Sequence, residues 1–362
     1  MVASAGTLND APTRVFNAIH ARGRELNAII IGAATTVSRV IITGGSGFIG
    51  TNLVSLLQQL GHEVFNLDIR PPAPAADRVR WRQVDICNRS ELIAAVAEIA
   101  PQSIVHLAAR TDLNGSTLAD YGANTAGVQN MIDAAANASV GRVLFASSRL
   151  VCRIGYQPQT PLDFQPTTPY GESKVAGEKL VRAAVGVPFE WAIVRPTSIW
   201  GPWFHIPYRN FFDAVRDGRY MHPRGVRVRK SFGYVGNTVH QLFQLLQAPR
   251  EAVHGQMFYL ADYEPIEVLD WGQRVQKAFG ATPIRQVPIS ALRVAAGVGD
   301  GLSWLGWKNV PLTSFRLDNL VTEMLHDTGS LREVCGVLPF DIDTGVDATV
   351  GWMRSEPDSL PA

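Results

Sequence analysis

The clearest pattern in the chain is a short apolar run, Arg39-Val-Ile-Ile-Thr43, followed at once by a glycine-rich turn and then by Leu53, Leu56, Leu57 and Leu60, with Gly61 as a stop. Consecutive β-branched residues predict a strand buried on both faces, and the three- and four-residue spacing that follows predicts a helix over residues 51–60. The alternation then repeats. Apolar runs over residues 62–68, 79–85, 103–108, 142–147 and 190–195 predict further strands, with helical patterns over 90–99, 126–138 and 171–185. Strands joined through helices pair in parallel and need cover on both faces, so the fold class read from the pattern is α/β, a doubly wound parallel sheet.

Beyond Pro196 the pattern loosens. Proline, aromatic and basic residues crowd positions 201–230, and later elements are short. The reading is a first domain over 39–196 and a smaller, mainly substrate-binding region over 197–362, some of whose segments return to the first domain. Residues 1–38 show neither strand alternation nor a clear helical pattern, and lack the basic, apolar, small-residue order of a secretory signal. They read as a mobile extension, as residues upstream of the true start, or as a helix packed on the domain.

Composition narrows the function classes. With 46% hydrophobic and 18% charged residues among 362, the chain is that of a packed globular enzyme rather than a disordered or fibrous protein. Lys plus Arg number 33 against 32 Asp plus Glu, so no broad field attracts nucleic acid or an anionic membrane. Three scattered cysteines offer neither a zinc site nor a redox pair and suit a reducing, cytoplasmic setting; no metal is expected. No run approaches the roughly 20 apolar residues of a membrane span.

The turn after the first strand, Thr43-Gly44-Gly45-Ser46-Gly47-Phe48-Ile49-Gly50, spaces glycines as G-x-x-G-x-x-G between strand and helix. Such a loop lets backbone approach a pyrophosphate at the helix N-terminus, which favours the phosphate charge. Asp68 closes the second strand, where a carboxylate accepts both ribose hydroxyls and repels a 2′-phosphate. NAD is therefore preferred, with Arg70 leaving NADP open. Tyr170 and Lys174 lie one helical turn apart, and the ammonium is expected to lower the phenol pKa toward neutrality, so that it exchanges a proton with an alcohol. Ser148 ends a strand on the ligand side of the sheet, where its hydroxyl can bridge substrate oxygen and Tyr170; a pair of serines there also suits a helix cap or turn.

Taken together, these motifs make the chain resemble the extended short-chain dehydrogenase/reductase family, particularly its NAD-dependent epimerase/dehydratase branch. The likeness runs from Arg39 to about Trp352, through the glycine loop, Asp85-Ile86, His106-Leu-Ala-Ala109, Asn124, Ser147-Ser148, Pro169 through Lys174 with Glu178, and Arg195-Pro196. It implies a Rossmann-type fold, Asp85 and Ile86 along the adenine, Leu107, Ala108 and Ala109 along the cofactor backbone, Pro196 beside the nicotinamide, Lys174 on its ribose, and Asn124 in the proton relay. It also implies a homodimer joined through the Asn124 and Tyr170 helices.

Dehydratases of that family carry an Asp-Glu pair after the catalytic Ser/Thr, and here Arg149 and Leu150 stand instead. Leucine cannot exchange a proton, which leaves epimerisation or net oxidation and reduction. A nucleotide-sugar epimerase is the leading expectation, with Ser198, Arg229 and Lys230 as substrate contacts and Lys230 nearest the family's phosphate-binding arginine. Ser198 stands where the family often has Asn, and aromatics such as Trp200, Phe204, Tyr208 and Phe212 also suit an apolar alcohol. The alternatives are thus a dehydrogenase or reductase of an apolar hydroxy or keto compound, and a non-catalytic dinucleotide sensor.

Overall fold

Along β1 (Arg39–Thr43) successive side chains enter different cores. Val40 and Ile42 pack with Leu53 and Leu57 of α1 (Phe48–Gln59), whereas Ile41 packs on the other face with Leu92, Val96, Val128 and Met131. That two-residue alternation between two apolar layers is what a strand inside a doubly wound sheet requires. The computed structural model describes residues 37–72, 80–205, 208–307, 310 and 312–355, and the expectations for the N-terminal extension concern residues that lie, but for Val37 and Ser38, outside them.

The sheet continues with β2 (Glu63–Asp68), β3 (Arg80–Gln83), β4 (Ser103–His106), β5 (Arg142–Ala146), β6 (Glu190–Pro196) and β7 (Met257–Leu260). Its order is β7-β6-β5-β4-β1-β2-β3, and every pairing is parallel. The order reverses between β1 and β4, which opens a crevice at the carboxyl ends of these strands. The covering helices are α2 (Arg89–Ile99) and α3 (Gly122–Asn137) with α4 (Pro169–Ala183) on one face. On the other are α1 and α6 (Val235–Gln247), after the intervening α5 (Tyr208–Arg216).

Most boundaries shift by one to a few residues from the sequence pattern, and two of the shifts have a local reason. The first helix begins at Phe48, not at residue 51, because Gly47 serves as its N-cap and the glycine loop itself carries the opening turn. The fourth strand stops at His106, after which Leu107 N still donates to Thr43 O at 3.0 Å and holds the following loop against β1.

Much of the aromatic segment forms the core of the C-terminal region. Trp200, Phe204 and Phe212 are buried, Phe204 meets Phe212 edge-on at 5.1 Å, and Phe211 stacks on Trp271 of α7 (Val268–Phe279) at 4.4 Å. Among the described residues no helix is long and apolar enough to cross a membrane.

Burial holds several histidines neutral. His106 and His326 are pushed down to about 3 and His240 to about 4, in each case chiefly by desolvation of the charged form. These folded-state values lie below the usual 6.5, so the unfolded chain takes up protons first as the pH falls. Each histidine then removes up to about 1.4 kcal/mol of stability per pH unit below about 6.5. Asp262, whose buried carboxyl is pushed up to about 7, contributes the opposite sign over the same interval. Urea unfolding is expected to show lower stability at pH 5 than at pH 7; equal or greater stability at pH 5 would contradict neutral burial of these rings.

Candidate active site

A cleft of about 850 Å³ opens at the reversal of strand order, and the glycine loop forms its floor. Gly44 has φ +71°, and a Cβ there would stand 2.7 Å from the Ala108 nitrogen. A Cβ on Gly50 would stand 2.2 Å from the Gly44 carbonyl oxygen, so helix and loop touch through backbone alone. Gly47 caps α1 without any side-chain hydrogen bond, which leaves the first-turn amides of Phe48, Ile49 and Gly50 facing a site that favours negative charge.

Asp68 stands at the end of β2, and its two carboxylate oxygens accept from Ser46 N and Arg70 N, both at 3.0 Å. These bonds fix the carboxylate on the rim of the cleft, close to the glycine loop. Asp85 is held similarly, with Oδ1 accepting from Cys87 N at 2.8 Å, and Ile86 packs toward Gly127. Leu107, Ala108, Ala109 and Pro196 complete the wall. A loop that a Cβ would fill, a helix start lacking a side-chain cap and a fixed carboxylate fit a dinucleotide.

The chemistry-bearing side chains meet at the other end of that cleft. Ser148 follows β5 and caps a short turn, its hydroxyl accepting from Leu150 N at 3.1 Å. Tyr170 is the second residue of α4, whose start is set by the Thr168 cap and Pro169. Its phenol is buried and hydrogen-bonded to Ser148. Lys174, one turn on, is also buried and donates from Nζ to Ala146 O at 3.0 Å. Ser148, Tyr170 and Lys174 all line the cleft.

The comparisons with known proteins coincide with this geometry. Residues 40–261 match the profile of the family described as NAD dependent epimerase/dehydratase family. The chain belongs to that family. It is 30% identical over 291 residues to a 3-beta-hydroxysteroid dehydrogenase of Mycolicibacterium neoaurum, covering 76% of this chain and 78% of the relative. It is 32% identical over 267 residues to a 3 beta-hydroxysteroid dehydrogenase/Delta 5→4-isomerase of Mycobacterium tuberculosis, covering 68% and 70%. Among solved structures, a UDP-glucose 4-epimerase of Thermotoga maritima has the same fold, with a TM-score of 0.66 at 17% identity over 87% of this chain and 98% of that one. The protein is therefore an NAD(P)-dependent enzyme of the extended short-chain dehydrogenase/reductase type.

As a member of this family the chain departs from the sequence reading in several particulars. Tyr170 is not poised near neutrality: burial pushes the phenol up, while Ser148 and the Arg149 charge pull it the other way. Lys174 is itself pushed down to about 8 by burial, with Glu178 acting against that shift, and its ammonium donates to the Ala146 carbonyl. Desolvation outweighs the expected ion-phenol attraction because both groups leave water together.

Asn124 does not line the cleft. Its Oδ1 accepts from Arg110 N at 2.9 Å, and its Nδ2 donates to Arg110 O at 3.0 Å and Ser173 Oγ at 2.9 Å. It clamps the loop after β4 to α3 and α4. The three substrate candidates are also engaged elsewhere. Ser198 is buried and accepts from the Tyr208 hydroxyl at 2.5 Å, exposed Arg229 pairs with Glu323 at 3.2 Å, and buried Lys230 donates to the Asn319 carbonyl. None of the three lines the cleft.

Sequence reasoning missed the Arg110-Thr111-Asp112 loop and His205, which do line it. Arg110 is bound to Asp112 at 2.8 Å, and its place directly after the His106-Leu-Ala-Ala109 motif was the signal that could have found it.

Proposed function

We propose that the protein is an NAD-dependent dehydrogenase or reductase acting on the secondary alcohol or ketone of a largely apolar compound. The observation that carries this reading is that Ser198 and Lys230 are engaged in buried hydrogen bonds and exposed Arg229 in an ion pair with Glu323, none of the three lining the cleft where a nucleotide diphosphate would need them. The substrate end of the cleft is instead bounded by Ile199, Phe204, Tyr208 and His205. Similarity to hydroxysteroid dehydrogenases supports the same class of substrate.

In this reading a bound nicotinamide would supply the hydride chemistry that interconverts alcohol and ketone. Tyr170 exchanges the proton at the same oxygen, and the Ser148 hydroxyl orients that oxygen by hydrogen bonding. Lys174, seated one turn below on α4, would hold the ribose end. Asp68, with the glycine loop, would hold the adenosine ribose and pyrophosphate.

The raised Tyr170 phenol is protonated at neutral pH, the form that donates to a ketone, whereas oxidation of an alcohol needs the phenolate. Oxidation is thus expected to speed up between pH 7 and 9 and reduction to slow. Initial rates in both directions check this, and a flat oxidative profile would remove Tyr170 from the proton step.

The test of function is turnover. Incubating the enzyme with NAD and a 3β-hydroxysteroid is expected to give NADH in proportion to ketone. A nucleotide-sugar 4-epimerase remains the second reading, favoured by the fold shared with UDP-glucose 4-epimerase. Interconversion of UDP-glucose and UDP-galactose without net cofactor change, and no steroid oxidation, would establish it instead.

A further inference from the structure

A helical hairpin in the C-terminal region carries apolar residues on two opposite sides. It consists of α8 (Ile289–Trp304) and α9 (Ser314–Val321). Leu292, Ala296 and Gly299 of α8 are buried, and the first two pack with buried Leu317 of α9. The approach is so close that a Cβ on Gly299 would overlap the Leu312 carbonyl oxygen. Val294 and Val298 follow Leu292 and Ala296 by two positions each, which at 3.6 residues per turn sets them about 200° round the helix. They are 70% and 61% exposed.

That outward side continues past the helix end. Leu305 stands seven positions beyond Val298, and with Trp304, Trp307 and Phe315 around the turn of the hairpin it is well exposed, Trp304 at 87%. Six of the fourteen large apolar side chains exposed among the described residues thus fall within 294–315. Scattered exposed apolar residues are ordinary, whereas a gathered set marks a surface built to be covered. The only charges on α8 are Arg293 and Asp300, and a helix apolar on both sides belongs where both sides leave water.

The charges around this face are mainly positive, although the whole chain is nearly balanced. Residues 285–316 hold Arg285, Arg293, Lys308 and Arg316 against the single Asp300, whose carboxylate accepts from Ser314 N at 3.0 Å. The next carboxylates along the chain, Asp318 and Glu323, are offset by Arg229, which pairs with Glu323, and by exposed Arg224. The strand Met221–Pro223 pairs with Arg285–Val287, and Arg224 N donates to Val287 O at 2.7 Å, so Arg224 belongs to the same region.

We propose that this hairpin seats the protein on the surface of a bilayer containing anionic phospholipid. None of its residues lines the cleft, so the inference goes beyond the reading of the substrate and does not depend on it. Sixteen residues with two charges do not span a bilayer, and α8 would lie in its plane. Val294, Val298 and Leu305 would enter the acyl boundary, the two indoles would sit at headgroup level, and the arginines would meet lipid phosphates. A second copy of the chain is the poorer occupant, because a two-fold contact sets the same cations against each other.

Co-sedimentation of the full chain with vesicles tests this, using phosphatidylcholine alone and an equimolar mixture of phosphatidylcholine and phosphatidylglycerol. The mixed vesicles are expected to bind about tenfold more strongly than the neutral ones, with a blue shift of tryptophan emission and release by added salt. Replacing Trp304 and Trp307 together by Ser is expected to lower that binding about tenfold, and Arg293→Glu to remove much of the preference for the anionic lipid. Both tryptophans are exposed, so the Tm and NAD affinity of the double variant should match the parent. The proposal is overturned by no sedimentation with either vesicle, by equal binding to both, by binding that survives the double substitution, or by a Tm loss of several degrees, which marks internal packing. Concentration-dependent dimerisation that the double variant loses, without vesicle binding, also overturns it and assigns the face to a second copy.

Discussion

Replacing Tyr170 with Phe is expected to lower kcat by about 10²- to 10⁴-fold, the usual contribution of a positioned proton-transfer group. The substitution removes only the phenolic oxygen from a buried ring that packs edge-on against Tyr121 at 6.0 Å, so the fold and the dinucleotide site keep their contacts. Dissociation constants for NAD and thermal unfolding should therefore stay within a few-fold and a few degrees of the parent. Steady-state kinetics in both directions, with NAD binding measured on the same preparation, make the check. A variant that keeps full turnover would leave Tyr170 as a packing residue, and one that also loses NAD binding would point to collapse of the cleft.

Glu178→Ala is expected to destabilise the protein by about 3–5 kcal/mol, the penalty for stranding one member of a buried ion pair. Glu178 Oε1 accepts from Arg195 Nε at 2.7 Å and from Ser147 Oγ at 2.6 Å, and both members of the ion pair are inaccessible to water. Removing the carboxylate leaves the Arg195 guanidinium with only the Tyr259 hydroxyl and the Pro161 carbonyl. Because Ser147 adjoins Ser148 and Glu178 shares α4 with Tyr170 and Lys174, activity should fall with stability. Urea unfolding measures the effect, and a loss below about 1 kcal/mol would show that the pair is solvated in solution.

Both predictions rest on residues whose sequence motifs pointed to importance but not to geometry. Glu178 and Arg195 were visible as parts of the family resemblance, yet their separation along the chain gave no sign that they pair. The pairing exists because β6 and α4 meet behind β5, a long-range consequence of sheet order. Asn124 is the reverse case. Its family position suggested chemistry, and the fold uses both of its N–H donors and its carbonyl oxygen to hold Arg110 and Ser173. A residue type compatible with catalysis becomes a clamp once every polar atom is satisfied by neighbours.

What local chemistry dictates was legible without coordinates. The strand, glycine turn and helix from Arg39 to Leu60 are contiguous, so β-branched runs, positive φ at Gly44 and backbone contact at Gly50 follow from neighbouring residues alone. The doubly wound architecture followed from the alternation of strands and helices, and Tyr170 with Lys174 from one helical turn. Only the tertiary structure decided how deeply these groups are buried. Burial turns the expected lowering of the Tyr170 pKa into a rise, and the fold ties Lys230 to Asn319 and Ser198 to Tyr208. Desolvation and charge proximity depend on atoms remote in the chain, and no periodicity or motif spacing encodes them.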